Sequence, residues 1–387
     1  MATPVHMTSI SRVEAWKCVF PLPAWSTLGG TAVDKRDYVI VRLVTTGGHE
    51  GIAFGLSRGA PVDVVITELL APHVLGRDST EPSDLTAAVS ANLPHHADEG
   101  LVERGLSLLD IAAWDLKGKI ADEPVWRLLG GEHDSAPILL TEGRPIPGEN
   151  DEDFARRLRN RANQGYSALK IEAPTADKQE LSRRLTTPLN AVGENSDLMI
   201  ELAYSWVEEV VPADVFDGLD HRLAWVEDPV HGNDVGRLRQ IKNTIGVPLA
   251  AGDEVTNPQV LHALIDTRAV DVLRVDITCI GGITGFASLY NAATDAGMQI
   301  STHVYPELHR HVVFGYPQSG PIEMFHETSF WNATNRFVQP PTAKSGSDGI
   351  MVIDAPPEPG LGLIIDWAVV TEFSIRHGVV TKETFKE

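Results

Sequence analysis

Cysteine is scarce: this chain of 387 residues holds two, Cys18 and Cys279, far apart in sequence. That excludes a disulfide framework and paired-cysteine zinc spacing, and predicts two buried free thiols. Basic residues are also short. Lys plus Arg number 32 against 53 Asp plus Glu, for a formal charge of −21. Nucleic-acid phosphates need a basic footprint and so does an anionic membrane surface, so neither partner is expected. An anionic small substrate is still allowed, because a bound divalent cation inverts the local field. No apolar run reaches the ~18 residues of a membrane span. The first residues, "MATPVHMTSI", lack the charged-then-apolar layout of a secretion signal, and a reducing cytoplasm is the expected compartment.

What is present is an ordinary globular composition, 43% hydrophobic and 22% charged. The length exceeds the ~250–300 residues that one core sustains, which predicts two domains. "SRVEAWKCVF" (11–20) predicts a strand. "YVIVRLVTTGGHEGIAFG" (38–55) alternates, turns at a Gly-Gly pair and alternates again, a hairpin signal. From about 62 to 129 the spacing is helical. In "LVERGLSLLDIAAWDLKGKIADEPVWRLLG" (101–130) the pattern breaks near Asp122–Pro124 and stops at Gly130–Gly131. Sheet followed by helices predicts an α+β domain over residues 1–137.

After Pro137 short β-rich runs alternate with helix-length connections. The runs are "ILLTEG" (138–143), "SALKIE" (167–172), "DLMIEL" (197–202), "RLAWVE" (222–227), "PLAAGD" (248–253), "VDVLRVD" (270–276), "MQISTHV" (298–304) and "GPIEMF" (320–325). Eight such units predict a β/α barrel of TIM type over 138–354, with its site at the strands' C-terminal ends. Glu201, Glu227 and Asp253 close three successive strands at intervals of 26 residues. Equal places in successive units put the three carboxylates side by side on one rim. There they repel one another unless a cation binds, and oxygen-only ligands suit Mg²⁺. The alternative is three solvated acids at strand ends.

Other polar residues stand at the same rim. Asp276 ends the sixth strand, His303 the seventh, and Glu323 lies in the eighth. A carboxylate bonded to an imidazole fixes its tautomer and raises its basicity. On the second strand, Lys170 and Glu172 share a face because side chains alternate. A metal across a substrate carboxylate, with bases on its flanks, fits removal of the weakly acidic α-proton through an enediolate. "ILLTEG" has no His-x-His, which sets barrel zinc hydrolases aside.

With these motifs in order, the chain resembles the enolase superfamily, mandelate racemase subgroup, from about residue 11 to 370. The likeness rests on "AAWDLKGKIADEPVWRLLGG" (112–131), "WVEDP" (225–229), "AAGDE" (250–254), "VDITCIGGITG" (275–285), "STHVYPELH" (301–309) and "PGLGLIIDW" (359–367), the last resembling the return strand to the cap. The resemblance implies a capping domain built from 1–137 and from 355–387, with a dimer or octamer as the assembly. It implies Glu201, Glu227 and Asp253 as metal ligands, with Glu254 beside Asp253 leaving that choice open. It implies His303 and Asp276 as a catalytic dyad, Lys170 assisting the substrate carboxylate, and Glu323 donating a hydrogen bond to the enediolate.

The pattern departs from the subgroup in two places. Where the subgroup has Lys-x-Lys, this chain has Lys170-Ile171-Glu172, and Ala203 then Tyr204 follow the third-strand ligand where asparagine is frequent. Without a second lysine, two-base racemisation loses a base. Dehydration of a polyhydroxy carboxylate to a 2-keto-3-deoxy acid needs one base, His303. Glu172 would then hold Lys170 or a substrate hydroxyl, or serve as a second acid/base. A racemase or epimerase is the alternative, and a non-catalytic metal-binding homologue a minor one. For the substrate, Arg58 in "GLSRGAP" and Arg144 in "TEGRP" are candidates for a distal carboxylate, which leans the reading towards an aldarate over an aldonate. Trp25 in "PLPAWSTLGG" is a candidate lid residue and Tyr204 a candidate contact.

Overall fold

The computed structural model describes residues 7–28, 31–96, 99–193, 196–206, 212–219 and 222–385. Gly29 and Gly30 of the expected lid loop lie outside the described residues. Three strands open the chain: β1 (Ile10–Pro21), β2 (Lys35–Thr45) and β3 (Glu50–Leu56). They pair antiparallel, and the C-terminal strand Ser374–Thr381 joins them on the outer edge of β1. The helix Gly100–Ala121 covers this sheet. The approach is so close that a Cβ on Gly51 would sit 2.1 Å from the Ala112 carbonyl oxygen, a place only glycine fits.

Eight parallel strands follow, at the places read from the sequence: β4 (Ser135–Gly143), β5 (Ala168–Glu172), β6 (Asp197–Glu201), β7 (Leu223–Glu227), β8 (Leu249–Ala251), β9 (Val272–Val275), β10 (Gln299–Thr302) and β11 (Ile322–Phe325). Their ladder runs β10–β9–β8–β7–β6–β5–β4–β11. β6 and β7 are joined, among the described residues, by one 3₁₀ turn (Ala213–Phe216) in place of the expected helix. Cys18 and Cys279 are buried and free. No helix among the described residues is long and apolar enough to cross a membrane.

The return to the cap differs from expectation. Residues 359–366 run without a strand, with isolated bridges from Pro124 to Gly360 and from Val338 to Ile365. The strand that re-enters the sheet lies further on, at Ser374–Thr381. Two glycines at positive φ, Gly360 and Gly362, keep the earlier stretch from extending.

Asp115 ties the parts together. It is fully buried, and its carboxylate accepts from Ile52 N (2.8 Å), Leu361 N (2.7 Å) and Lys119 Nζ (2.7 Å). One side chain thus joins the cap sheet, the long helix and the returning tail. Asp115→Ala strands two buried N–H groups and is expected to destabilise by about 3 kcal/mol, at ~1–3 kcal/mol for each unpaired group. A lowered urea midpoint would register this, and an unchanged midpoint would show that the tail docks by other contacts.

Candidate active site

The barrel interior is layered. Leu139, Ala168, Met199, Trp225, Ala250 and Val272 form an apolar tier. Two residues further along each strand the side chains again point inward. That next tier is polar: Thr141, Lys170, Glu201, Glu227 and Arg274. Burial forces these groups to pair. Lys170 Nζ lies 3.0 Å from Glu227 Oε1, 2.7 Å from Glu323 Oε1 and 3.9 Å from Glu201 Oε2. Arg274 binds Glu227 through Nε (2.9 Å), Ser301 Oγ (2.6 Å), and the Glu323 carboxylate.

These pairs set the charges. Burial pushes Lys170 down, but Glu227 and Glu323 outweigh it and raise its pKa, so it stays an ammonium and is no base. Burial pushes Glu227 up, yet Arg274 and Lys170 bring it to about 2. Glu323 is likewise held well below the carboxylate range by Lys170 and Arg274 against its burial. It accepts from Thr141 Oγ1 (2.7 Å) and Val304 N (3.2 Å). These neighbours draw Glu323 towards its ionised, accepting form.

The next group of carboxylates is the opposite case. Glu201, Glu227 and Asp228 each bring an oxygen within 4.8 Å of the others. Burial and the charge of Glu227 raise Glu201 well above its ordinary value. Burial and the charges of Asp253 and Glu201 do the same to Asp228, which shares a hydrogen bond with Asp253. Asp228 Oδ1 is buried with no partner. Crowded and all-oxygen, with Glu201 and Asp228 both raised by burial and neighbouring negative charge, this group fits a hard dication such as Mg²⁺.

Asp228 escaped the sequence reading for a definable reason. Beside an inward Glu227 it should face outward, but its φ of 45° is left-handed and it borders the cavity. Ala203 (46°), Tyr204 (59°), Val304 (39°) and Tyr305 (45°) are also left-handed. Such conformations cost non-glycine residues of order 1–3 kcal/mol and gather at functional sites. Here they sit at the C-terminal ends of β6, β7 and β10. Gly252, at φ 126°, serves the end of β8, where a Cβ would meet the Arg274 carbonyl oxygen at 2.6 Å.

His303 stands between two acids. Its Nδ1 is 3.2 Å from Asp276 Oδ2, and its Nε2 is 3.3 Å from Asp253 Oδ2. Burial lowers the imidazole pKa, but Asp253, the Asp276 hydrogen bond and Glu323 together raise it. Asp276 is itself steadied: Thr278 N donates to its Oδ1 (2.8 Å). Behind it, His309 Nε2 accepts from Ile277 N (3.0 Å) while its Nδ1 donates to Val304 O (2.6 Å), which joins the ends of β9 and β10.

The expected substrate-binding residues are engaged elsewhere. Glu172 does not hold Lys170. It pairs with Arg144, which also donates to Thr27 Oγ1 (2.6 Å). Arg58 donates through Nε to Glu254 (3.0 Å), and Arg104 binds the same carboxylate. That occupies Glu254 and leaves Asp253 as the acid facing His303. Tyr204 borders the cavity, its hydroxyl 3.4 Å from Asp253 Oδ1. Trp25 is 44% exposed, meets Phe330 edge-on at 4.5 Å, and borders a neighbouring cavity instead.

The main cavity holds about 400 Å³ between barrel and cap. Lys170, Glu172, Glu201, Asp253, His303 and Glu323 all border it. Arg274 was passed over in the sequence, although an arginine two places before Asp276 in an apolar strand must point into the barrel. Arg36, from the cap, also went unnoticed and borders the cavity.

Comparison with known proteins gives concordant matches. The pattern for "Enolase C-terminal domain-like" proteins matches residues 153–369, and that for the N-terminal domain of mandelate racemase / muconate lactonizing enzyme matches 12–130. An L-talarate/galactarate dehydratase of Salmonella typhimurium is 27% identical over 292 residues, 74% of this chain and 72% of that protein. A 3,6-anhydro-alpha-L-galactonate cycloisomerase of Streptomyces coelicolor is 23% identical over 92% of this chain and 96% of its own. L-talarate dehydratase from Polaromonas sp. JS666, crystallised with Mg and L-glucarate, has the same fold, at TM-score 0.82 and 23% identity over 97% of this chain and 99% of that one.

Proposed function

We infer that this chain, which belongs to the mandelate racemase / muconate lactonizing enzyme family of the enolase superfamily, is a Mg²⁺-dependent hydro-lyase that dehydrates an acid sugar, aldonate or aldarate, to a 2-keto-3-deoxy acid. Relatives named as an L-talarate/galactarate dehydratase, a D-galactonate dehydratase family member and an arabinonate dehydratase support the class. One observation carries the choice of dehydration over racemisation. His303 is poised for proton transfer, while Lys170 is locked as a cation and Glu172 is bound to Arg144.

Glu201, Glu227 and Asp253, with Asp228 beside them, would hold Mg²⁺, which supplies positive charge that makes the α-proton of a carboxylate removable. Lys170 offers its N–H groups to the same substrate carboxylate. Asp276 fixes Nδ1, and with Asp253, 3.3 Å from Nε2, turned to its place as a metal ligand, the Nε2 of His303 would take the C2 proton. The C2–H electron pair becomes the C2=C3 bond as the C3–O bond breaks. The imidazolium returns its proton to the departing hydroxide, so proton and water leave from one face. The enol then tautomerises to the keto acid.

The test is incubation with Mg²⁺ and a stereochemical library of aldonates and aldarates, trapping keto acids with semicarbazide. Keto acid from one or a few members is expected. No keto acid, with α-proton exchange in another carboxylate, would contradict the reading. Glu172→Gln should keep kcat within about tenfold, because a carboxylate paired with Arg144 takes no part in the proton transfer. Lost turnover with intact binding would make Glu172 a second acid/base.

A further inference from the structure

Four basic side chains border the main cavity: Lys170, His303, Arg58 and Arg36. Three have carboxylate partners. Lys170 is held by Glu227 and Glu323, His303 by Asp253 and Asp276, and Arg58 by Glu254. Arg36 has none among the described residues, and its Nε is buried with no hydrogen-bond partner. Glu172 is near enough for its charge to act on Arg36, but that carboxylate is taken by Arg144.

Arg36 is also held in place. It lies on β2, paired with Phe20 of β1, at the end of the cap sheet. Its guanidinium sits 4.6 Å from the centre of the Trp331 ring, which fixes the orientation of the planar group. Tyr38, two residues along the same face of the strand, borders the same cavity, and so does Tyr305 from the barrel side. Tyr305 is 4% exposed and its hydroxyl is buried without a partner. Burial pushes Arg36 below its ordinary pKa, as it does for a cation that lacks a counter-ion.

A half-buried guanidinium at the cavity wall with no carboxylate partner, and an unpaired hydroxyl on the opposite side, make a receptor for a planar anion. We propose that Arg36, with Tyr305, binds the distal carboxylate of the substrate, so that the enzyme acts on a dicarboxylic sugar acid rather than on a monocarboxylic one. The inference rests on the dehydratase reading above, and it replaces Arg58 and Arg144 in the role that the sequence suggested for them. One carboxylate would lie on the barrel floor near Lys170, the other under the cap at Arg36. Length and charge at both ends would then be read together.

The experiment measures binding to the Mg²⁺-loaded His303→Asn protein, which holds substrate without turnover. The probes are the hexarates, each with the hexonate of matching configuration. At least one hexarate should bind at least about tenfold more tightly than its hexonate, the scale of a charge-assisted contact. Arg36→Met should abolish that preference and leave hexonate binding as it was. Arg36→Lys should restore part of it, because a charge returns without the planar fork. A purely structural arginine would weaken both classes alike, and that result overturns the proposal. So does a wild-type site that binds hexonates as well as hexarates. If neither class binds while Mg²⁺ does, the acid-sugar reading fails and this inference falls with it. A hexarate preference that survives Arg36→Met removes this inference alone and leaves the dehydratase reading standing.

Discussion

Asparagine in place of His303 is expected to lower kcat by about 10²–10⁴-fold, the usual contribution of a positioned acid or base, and to leave Mg²⁺ binding intact. The expectation rests on exclusion as well as placement. Lys170 cannot release its proton while Glu227 and Glu323 hold it as an ammonium. Lys170 and Arg274 draw Glu323 towards its ionised, accepting form. Glu172 is joined to Arg144. That leaves the imidazole, whose Nε2 faces the acid cluster while Asp276 secures Nδ1. Steady-state kinetics together with a metal titration separate the two effects. Turnover within tenfold of wild type would place the base elsewhere, with Tyr204 the next group to test.

Removing one acid of the cluster is expected to have an effect of similar size. Glu201→Gln should lower kcat/KM by about 10³-fold or more, since a metal's charge stabilisation is worth several kcal/mol. The stability readout is independent of turnover. In the wild type, Mg²⁺ at a hundredfold excess over its dissociation constant should stabilise the fold by about 2.7 kcal/mol, and in Glu201→Gln that gain should vanish. The pH dependence follows from the crowding. Burial and neighbouring charge raise Glu201 and Asp228, so without metal they keep protons that ordinary carboxyls have lost. Mg²⁺ displaces those protons, so its affinity should rise with pH through the raised range and weaken in acid. Calorimetry in buffers of different ionisation enthalpy would detect the released protons. A melting temperature indifferent to Mg²⁺ would contradict the metal assignment.

The barrel was legible because its strands are short apolar runs closed by acids at a repeated spacing. The repeated spacing put Glu201, Glu227 and Asp253 at equal places on one rim, where the structure has them at or just past the ends of their strands. Period-two alternation failed at Asp228, where a left-handed φ breaks it. The ion pairs were out of reach for another reason. Arg58 meets Glu254 across 196 residues of sequence, and Arg104 meets it across 150. Nothing local distinguishes an arginine waiting for a substrate from one already neutralised. That is why Arg58 and Arg144 looked like receptors and Arg36, in the run "DKRDY", did not. The resemblance placed the strand returning to the cap at "PGLGLIIDW", where glycines at positive φ divert the chain.

The most direct test of one-base dehydration follows the reaction of an identified acid sugar in D₂O with Mg²⁺ by proton NMR. The account predicts a 2-keto-3-deoxy acid carrying deuterium at C3, with recovered substrate that never includes the C2 epimer. Accumulation of that epimer without keto acid would require a proton donor on the face opposite His303, and would contradict the account at its centre.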